Sequence, residues 1–361
     1  MTRLIATYRL RGPDPLARAR AIAVEQSIEM PPEAVTTPSI LTEVLGEVLD
    51  VTDRGGGVAD ATIGLAAETV GADAGQLLNM LFGNTSLHPD VTLIDARVPP
   101  ALAAAFGGPR QGIAGLRARL GVSGRALAGS ALKPQGLEPA GLAALAHRFA
   151  AGGIDLVKDD HGLADQAAAP FAARVPAVAA AIRQAGTQTA YAPSLSGHYG
   201  TMRAQIRLAR DHGLDCFLIA PMIAGLATFQ ALRTEFPDAI FLAHPAMGGA
   251  ARIAPECLIG TLFPLLGADA VIFPTHGGRF GYSAATCARL AAAARTPPAG
   301  GPALPVPAGG ITLQRVPELL DFHGPDTMLL IGGSLLLARE TLTEATAGFM
   351  RAVADHPHRD R

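Results

Sequence analysis

Between residues 126 and 334, eight short apolar runs recur, each separated from the next by an Ala- and Leu-rich stretch with helical spacing. The runs are ALAGSALKP (126–134), IDLVKDD (154–160), TAYAPSLS (189–196), DCFLIAPM (215–222), AIFLAHPA (239–246), DAVIFPTH (269–276), ALPVPAGG (303–310) and TMLLIGGS (327–334). Runs that are apolar throughout predict strands covered on both faces, which is the condition of a parallel sheet with helices packed outside. Eight strand–helix units in roughly 250 residues are what a closed (β/α)8 TIM barrel requires. An open doubly wound sheet has the same rhythm and stays open as the alternative.

The first hundred residues read differently. Strand-like LIATYRL (4–10) and VTLIDARV (91–98) flank a helical reading of SILTEVLGEVL (39–49), which predicts a smaller α+β domain of ferredoxin-like type. The Gly- and Pro-rich FGGPRQG (106–112) marks the change of rhythm, so the expected domains are 1–108, α+β, and 109–361, the barrel.

Hydrophobic residues make up 49% of the chain and charged residues 17%, enough apolar material for a large core. A net charge of -2, with no block of Lys or Arg, argues against nucleic acid as a partner. Cys216, Cys257 and Cys287 are odd in number and lack metal-site spacing, so they are expected to be reduced core thiols. No apolar leader opens the chain and no stretch reaches the ~18 apolar residues of a membrane span, which predicts no membrane contact and a cytoplasmic protein.

A barrel places its chemistry on the loops that follow the strands. Lys133 ends the first run, where burial would disfavour the ammonium and leave a proton acceptor; a lysine snorkelling to solvent is the other reading. Lys158-Asp159-Asp160-His161 ends the second run. Four polar residues there suit either a divalent cation, for which Mg2+ is the natural choice, or a salt-bridged strand end. Gly309-Gly310 and Gly332-Gly333 end the seventh and eighth runs, as tight turns or as backbone that approaches a phosphate. His244 and His276 end runs and are candidates. His147, His212, His323, His356 and His358 are expected to be surface or packing residues.

The blocks LIDARVPPALAAAFGGPRQGI, ALAGSALKPQGL, GGIDLVKDDHGLADQ, FLAHPAMGGA, PVPAGGI and LLIGGS resemble, in order, those of the ribulose bisphosphate carboxylase large chain and its non-carboxylating relatives, the RuBisCO-like proteins. The resemblance implies that Lys133 moves the enolising proton. It implies that Lys158, as a carbamate, binds Mg2+ together with Asp160, and that His161 stands where the carboxylase has a ligating Glu. His244 matches the first histidine of the family's HRAMH block. Gly310, Gly332 and Gly333 match backbone donors to one phosphate, beside Gly309. Glu25 and Asn84 match residues that reach the site of a neighbouring subunit, which implies a homodimer or an assembly of dimers.

The departures are as informative. Pro245, Gly248 and Ile272 stand where the family has cationic or imidazole groups for a second phosphate, so the resemblance implies a substrate with one phosphate. Gln135 replaces a lysine of the family's KPK block. Arg279 stands in the loop where the carboxylase uses a lysine to polarise CO2, which speaks against carboxylation. What remains is an Mg2+-dependent enolising enzyme for a sugar or sugar-acid monophosphate. The first expectation is decarboxylation of 3-oxo-isoapionate 4-phosphate or a similar β-keto acid phosphate. The second is an isomerase or enolase of substrates like 5-methylthioribulose 1-phosphate, and the third a degenerate barrel without catalysis.

Overall fold

The structure is a computed structural model and describes residues 2–357. Strands β1 (Arg3–Arg11), β2 (Glu47–Gly55), β3 (Val58–Ala66) and β4 (Val91–Arg97) form an antiparallel sheet in the order β2-β3-β1-β4. Helices Pro15–Glu25 and Ala74–Phe82 connect β1 to β2 and β3 to β4, which gives the βαββαβ path of a ferredoxin-like unit. Along β1 the side chains of Leu4, Ala6, Tyr8 and Leu10 are buried, and the Tyr8 hydroxyl donates to the Leu81 carbonyl at 2.6 Å.

One expectation fails here. The stretch 39–49 is not a single helix: Pro38–Glu43 is helical, and Glu47 opens β2. Gly46 separates the two. A Cβ at Gly46 would collide with the Ala23 carbonyl oxygen, and its N–H donates to the Ser27 hydroxyl at 2.9 Å, so backbone contact with the first helix turns the chain there.

Each of the eight apolar runs holds one strand of the second sheet. These are β5 (Leu127–Leu132), β6 (Leu156–Asp159), β7 (Ala190–Ala192), β8 (Cys216–Ile219), β9 (Ile240–Ala243), β10 (Ala270–Pro274), β11 (Leu304–Ala308) and β12 (Met328–Ile331). All its ladders are parallel, in the order β7-β6-β5-β12-β11-β10-β9-β8. A parallel bridge from Ser194 to Leu218, with the Leu218 N–H donating to the Pro193 carbonyl, joins β7 to β8 and closes the barrel. Alternate residues fill the interior, among them Leu127, Leu156, Ala192, Leu218, Leu242, Ile272, Val306 and Leu330. The open alternative is thereby excluded.

The loop that leaves β9 returns along the edge of the first sheet. Leu93 bridges Ile253, its N–H donating to the Arg252 carbonyl at 3.0 Å and its carbonyl accepting from Ala254 at 2.8 Å, which covers the exposed edge of β4. Cys216, Cys257 and Cys287 are free and buried, as expected, and no described helix is long and apolar enough to cross a membrane.

At the amino end of the barrel, Asp269 has no solvent exposure. Its carboxylate accepts from Gln111 N (2.7 Å), Gly112 N (2.9 Å), Phe241 N (2.9 Å) and the Arg233 guanidinium (3.0 Å). Asp269→Ala would leave the buried Arg233 guanidinium without its counter-ion, bonded only to backbone carbonyls, and three N–H groups without their acceptor. It is expected to cost about 3–5 kcal/mol of unfolding free energy, read as a lowered midpoint in urea titration.

Candidate active site

The polar run at the end of β6 divides by strand alternation. Lys158 is level with the interior residues Ala131 and Ala192, so it points into the barrel, and Asp160 continues that face; Asp159 points outward. Outside, Asp159 accepts from the Tyr191 hydroxyl (2.7 Å), the Ser194 N–H (3.0 Å) and Arg174 Nε (3.2 Å). Burial pushes the Asp159 carboxyl up while Arg174 pulls it down. The salt-bridged reading is therefore right for Asp159, and the other three residues of the run face the mouth.

Lys158 is 2% exposed, and its Nζ donates to the Asp159 carbonyl at 3.0 Å. Burial brings the ammonium down to about 8 from the usual 10.5; Asp160 opposes the shift and the charge of Lys133 adds to it. Lys133 Nζ lies 2.7 Å from Asp160 Oδ1 with 37% of its side chain exposed. The burial expected of Lys133 is thus a property of Lys158: β5 ends at Leu132, and Lys133 emerges at the rim.

His161 Nδ1 sits 3.4 Å from Asp160 Oδ1. Burial pushes the Asp160 carboxyl up, but hydrogen bonds from His161 and Lys133 and the charge of Lys158 carry it well below the usual range. His244 stacks on His161 with centroids 4.2 Å apart and an interplanar angle of 13°. Burial first, then the charges of Lys158 and His161, hold His244 far below the ordinary imidazole range, so its ring is neutral at physiological pH. Because His244 Nδ1 accepts from Ala246 N at 3.1 Å, its proton is assigned to Nε2, which is left as a donor.

The glycine pairs come together on the other side of the rim. Gly309 and Gly310 both have left-handed backbone, with φ of 76° and 88°. A Cβ on Gly278 would run into the Gly309 carbonyl oxygen, and one on Gly310 would lie 2.9 Å from Gly278 Cα, so the loops after β10 and β11 meet backbone to backbone. The Ser334 hydroxyl donates to the Ile311 carbonyl at 2.7 Å and ties in the loop after β12. A Cβ on Gly332 or Gly333 would meet nothing within 4 Å, which leaves that backbone open to approach. Arg315 was not legible as part of this region. It donates to the carbonyls of Gly310 (3.2 Å) and His276 (3.0 Å), and His276 Nε2 meets Glu318 at 2.8 Å, which makes His276 a bracing residue.

Not every candidate reaches the cluster. Arg279 is exposed, its guanidinium 5.1 Å from the Phe280 ring centroid, with no hydrogen bond or ion pair to Lys133, Lys158 or Asp160 among the described residues. Asn84 Nδ2 donates to Glu25 (2.9 Å) and Glu29 (2.7 Å) on the surface of the amino-terminal unit, again without such a contact to the barrel rim. Gln135 fills the space where a Cβ on Gly162 would sit, and so backs the loop that follows His161. His147 and His323 are packing residues, as expected: His147 Nδ1 lies 3.0 Å from the Ala181 carbonyl and His323 is buried. His358 lies outside the described residues.

Among the described residues no three His, Cys, Asp or Glu side chains gather as a metal site. Asp160 and His161 make two donors, and a third oxygen donor arises only when the neutral Lys158 amine takes up CO2. The burial of that amine fits such a carbamate.

The buried ammonium also sets a stability test. With the Lys158 pKa lowered in the fold, the unfolded chain holds the extra proton between about pH 8 and 10.5, so stability rises with pH across that window. Lys158→Met is expected to stabilise the protein by roughly 1–3 kcal/mol at pH 7, and the advantage should shrink toward pH 10. Urea midpoints of both proteins at the two pH values decide it, and a gap that does not narrow contradicts the assignment.

Residues 112–257 match the catalytic domain of the ribulose bisphosphate carboxylase large chain. The 5-methylthioribulose-1-phosphate isomerase of Rhodospirillum rubrum is 57% identical over 360 residues, covering 98% of this chain and 96% of that protein. The ribulose bisphosphate carboxylase-like protein 1 of Rhodopseudomonas palustris is 55% identical over 361 residues, 98% of each. A crystal structure of a Rubisco-like protein from Rhodopseudomonas palustris aligns over 100% of both chains with a TM-score of 0.92 and 49% identity. The chain belongs to the RuBisCO-like proteins.

Proposed function

We propose that this protein is a sugar-phosphate isomerase that acts on 5-methylthioribulose 1-phosphate or a close analogue by moving a proton between carbons next to the carbonyl. The observation that carries this reading is the rim cluster in which Lys133 pairs with Asp160, and His161 approaches Asp160 and stacks on the neutral His244, beside the buried Lys158. The isomerase that matches 98% of the chain supports it. Decarboxylation of 3-oxo-isoapionate 4-phosphate is set aside, since isomerisation needs the same proton chemistry and is what that relative's name describes.

A 2-ketose has weakly acidic C–H bonds on the carbons that flank its ketone. Lys133, as the free amine, takes one such proton; the C–H electron pair becomes the C=C bond of an enediolate, and the carbonyl π pair moves to oxygen. The Nε2–H of His244 would hydrogen-bond that developing negative oxygen. The former carbonyl oxygen then takes up a proton, the hydroxyl on the neighbouring carbon gives one up, and return of the carbon-bound proton from Lys133 to the former carbonyl carbon leaves a hydroxyl there and a carbonyl one position along. Atoms and charge are conserved, and no co-substrate is consumed.

Lys158 as a carbamate, Asp160 and His161 would hold Mg2+, whose charge would stabilise an oxyanion. Use of Asp160 as a ligand would also release Lys133 from its ion pair. The glycine backbone at 309–310 and 332–333 receives the single phosphate. Glu25 and Asn84, which bond to each other on the amino-terminal unit, would complete the site from a second subunit of a homodimer.

Incubation with 5-methylthioribulose 1-phosphate, Mg2+ and bicarbonate, followed by 31P and 1H NMR, is expected to show a new isomeric phosphate without release of CO2. Chelator should abolish it. Lys133→Ala is expected to lower kcat by roughly 10²–10⁴-fold. Release of CO2 from a 3-oxo acid phosphate without isomerisation of the ketose would contradict the reading. Sedimentation showing a fully active monomer would remove Glu25 and Asn84 from the site.

A further inference from the structure

The loops after β10 and β11 carry Gly277, Gly278, Gly309 and Gly310, and all but Gly278 have left-handed backbone. Glycine lets the two loops touch, but it is also the residue with the most freedom to lose, so the order of this backbone must come from elsewhere. Arg315 immediately precedes the helix Val316–His323, and Glu318 lies in its first turn. The Arg315 guanidinium donates to the carbonyls of Gly310 (3.2 Å) and His276 (3.0 Å) and to both oxygens of Glu318 (3.0 Å each). His276 closes the network: its Nε2 lies 2.8 Å from Glu318, and its ring packs on Phe322 of the same helix with centroids 4.5 Å apart. A Cβ on Gly277 would lie 3.2 Å from Arg315 Nη2, so the guanidinium rests directly on the loop it holds.

We propose that Arg315, Glu318 and His276 are positioning residues that set the glycine backbone so that uncharged N–H groups bind the substrate's phosphate. This rests on the reading that the phosphate lies at 309–310 and 332–333, and it names what prepares that site. Among the described residues, the N–H groups of Gly309, Gly310 and Ile311 donate to no acceptor. The neighbouring carbonyl oxygens would repel an anion, and both are engaged elsewhere: that of Gly310 by Arg315 and that of Ile311 by the Ser334 hydroxyl. A trans peptide points its N–H opposite to its C=O, so holding the Gly310 carbonyl directs the Ile311 N–H away from Arg315. The charge of Arg315 is meanwhile paired with Glu318, so the residue acts through the backbone and not as a cation on the phosphate. A site of neutral donors binds well only when they are oriented in advance.

Calorimetric titration with inorganic phosphate reads the site without turnover, and KM and kcat on 5-methylthioribulose 1-phosphate are measured beside it. Glu318→Ala changes an exposed helix position that tolerates it, removes the partner that orients Arg315 and leaves the guanidinium charge unpaired. The phosphate Kd and the KM are both expected to rise about threefold to tenfold, with kcat within about twofold of wild type. A guanidinium that bound phosphate directly would do the opposite and tighten it once Glu318 is gone, so a Kd that falls or stays the same overturns the proposal. Arg315→Lys keeps the positive charge but lacks the fork that bridges two carbonyls, and is expected to weaken phosphate about tenfold. Retained affinity in this variant overturns the proposal as well. Circular dichroism reports whether each variant is folded. Wild type that binds no phosphate in competition with the ketose phosphate removes the glycine site and its positioning residues together. Phosphate affinities that change as expected in a protein that does not isomerise the ketose would uphold the positioning role and remove the isomerase reading.

Discussion

Between Asp159 and Arg174, both without solvent exposure, runs the ion pair that fixes the end of β6. The carboxylate also holds Tyr191 and Ser194, so one outward-facing side chain anchors the ends of both β6 and β7. Because neighbours on a strand point to opposite faces, locking Asp159 outward forces Lys158 and Asp160 inward, where Lys133 and His161 meet them. A slip of one residue would bury the Asp160 carboxylate against helices and turn Arg174's partner into the mouth.

The barrel was legible because its signal is repeated: eight apolar runs, each ending in polar or glycine residues, match eight strands. The glycine pairs and the KDDH run could be placed at strand ends for the same reason. What depends on the packing of distant segments was not readable. Gly46 ends a helix because it lies on the Ala23 carbonyl, and nothing local in SILTEVLGEVL announces that contact. Lys133 and Lys158 each stand near the end of an apolar run, but only the place where the strand stops, after Leu132 in one case and after Asp159 in the other, tells which of them is buried. Arg315 grips Gly310 and His276 from a helical stretch whose sequence gives no reason to look there.

The choice between losing CO2 and moving a proton could not be read from the candidate residues at the rim, since both reactions pass through an enediolate and would call on the same lysine and the same oxyanion partners. With Pro245, Gly248 and Ile272 in place of cationic and imidazole groups, and with an apolar face on β10 and β11, the far side of the site offers little to a second phosphate or a free carboxylate. It offers apolar contact instead.

The central claim is that a proton leaves and returns to carbon by way of an exchangeable side chain. It is tested most directly by turning over 5-methylthioribulose 1-phosphate in D2O and examining the isomer by mass spectrometry and 1H NMR. The account predicts deuterium on the carbon that receives the proton, and no labelled product from Lys133→Ala. An isomer that stays wholly unlabelled through many turnovers would mean that hydrogen moves directly from carbon to carbon, and would contradict it.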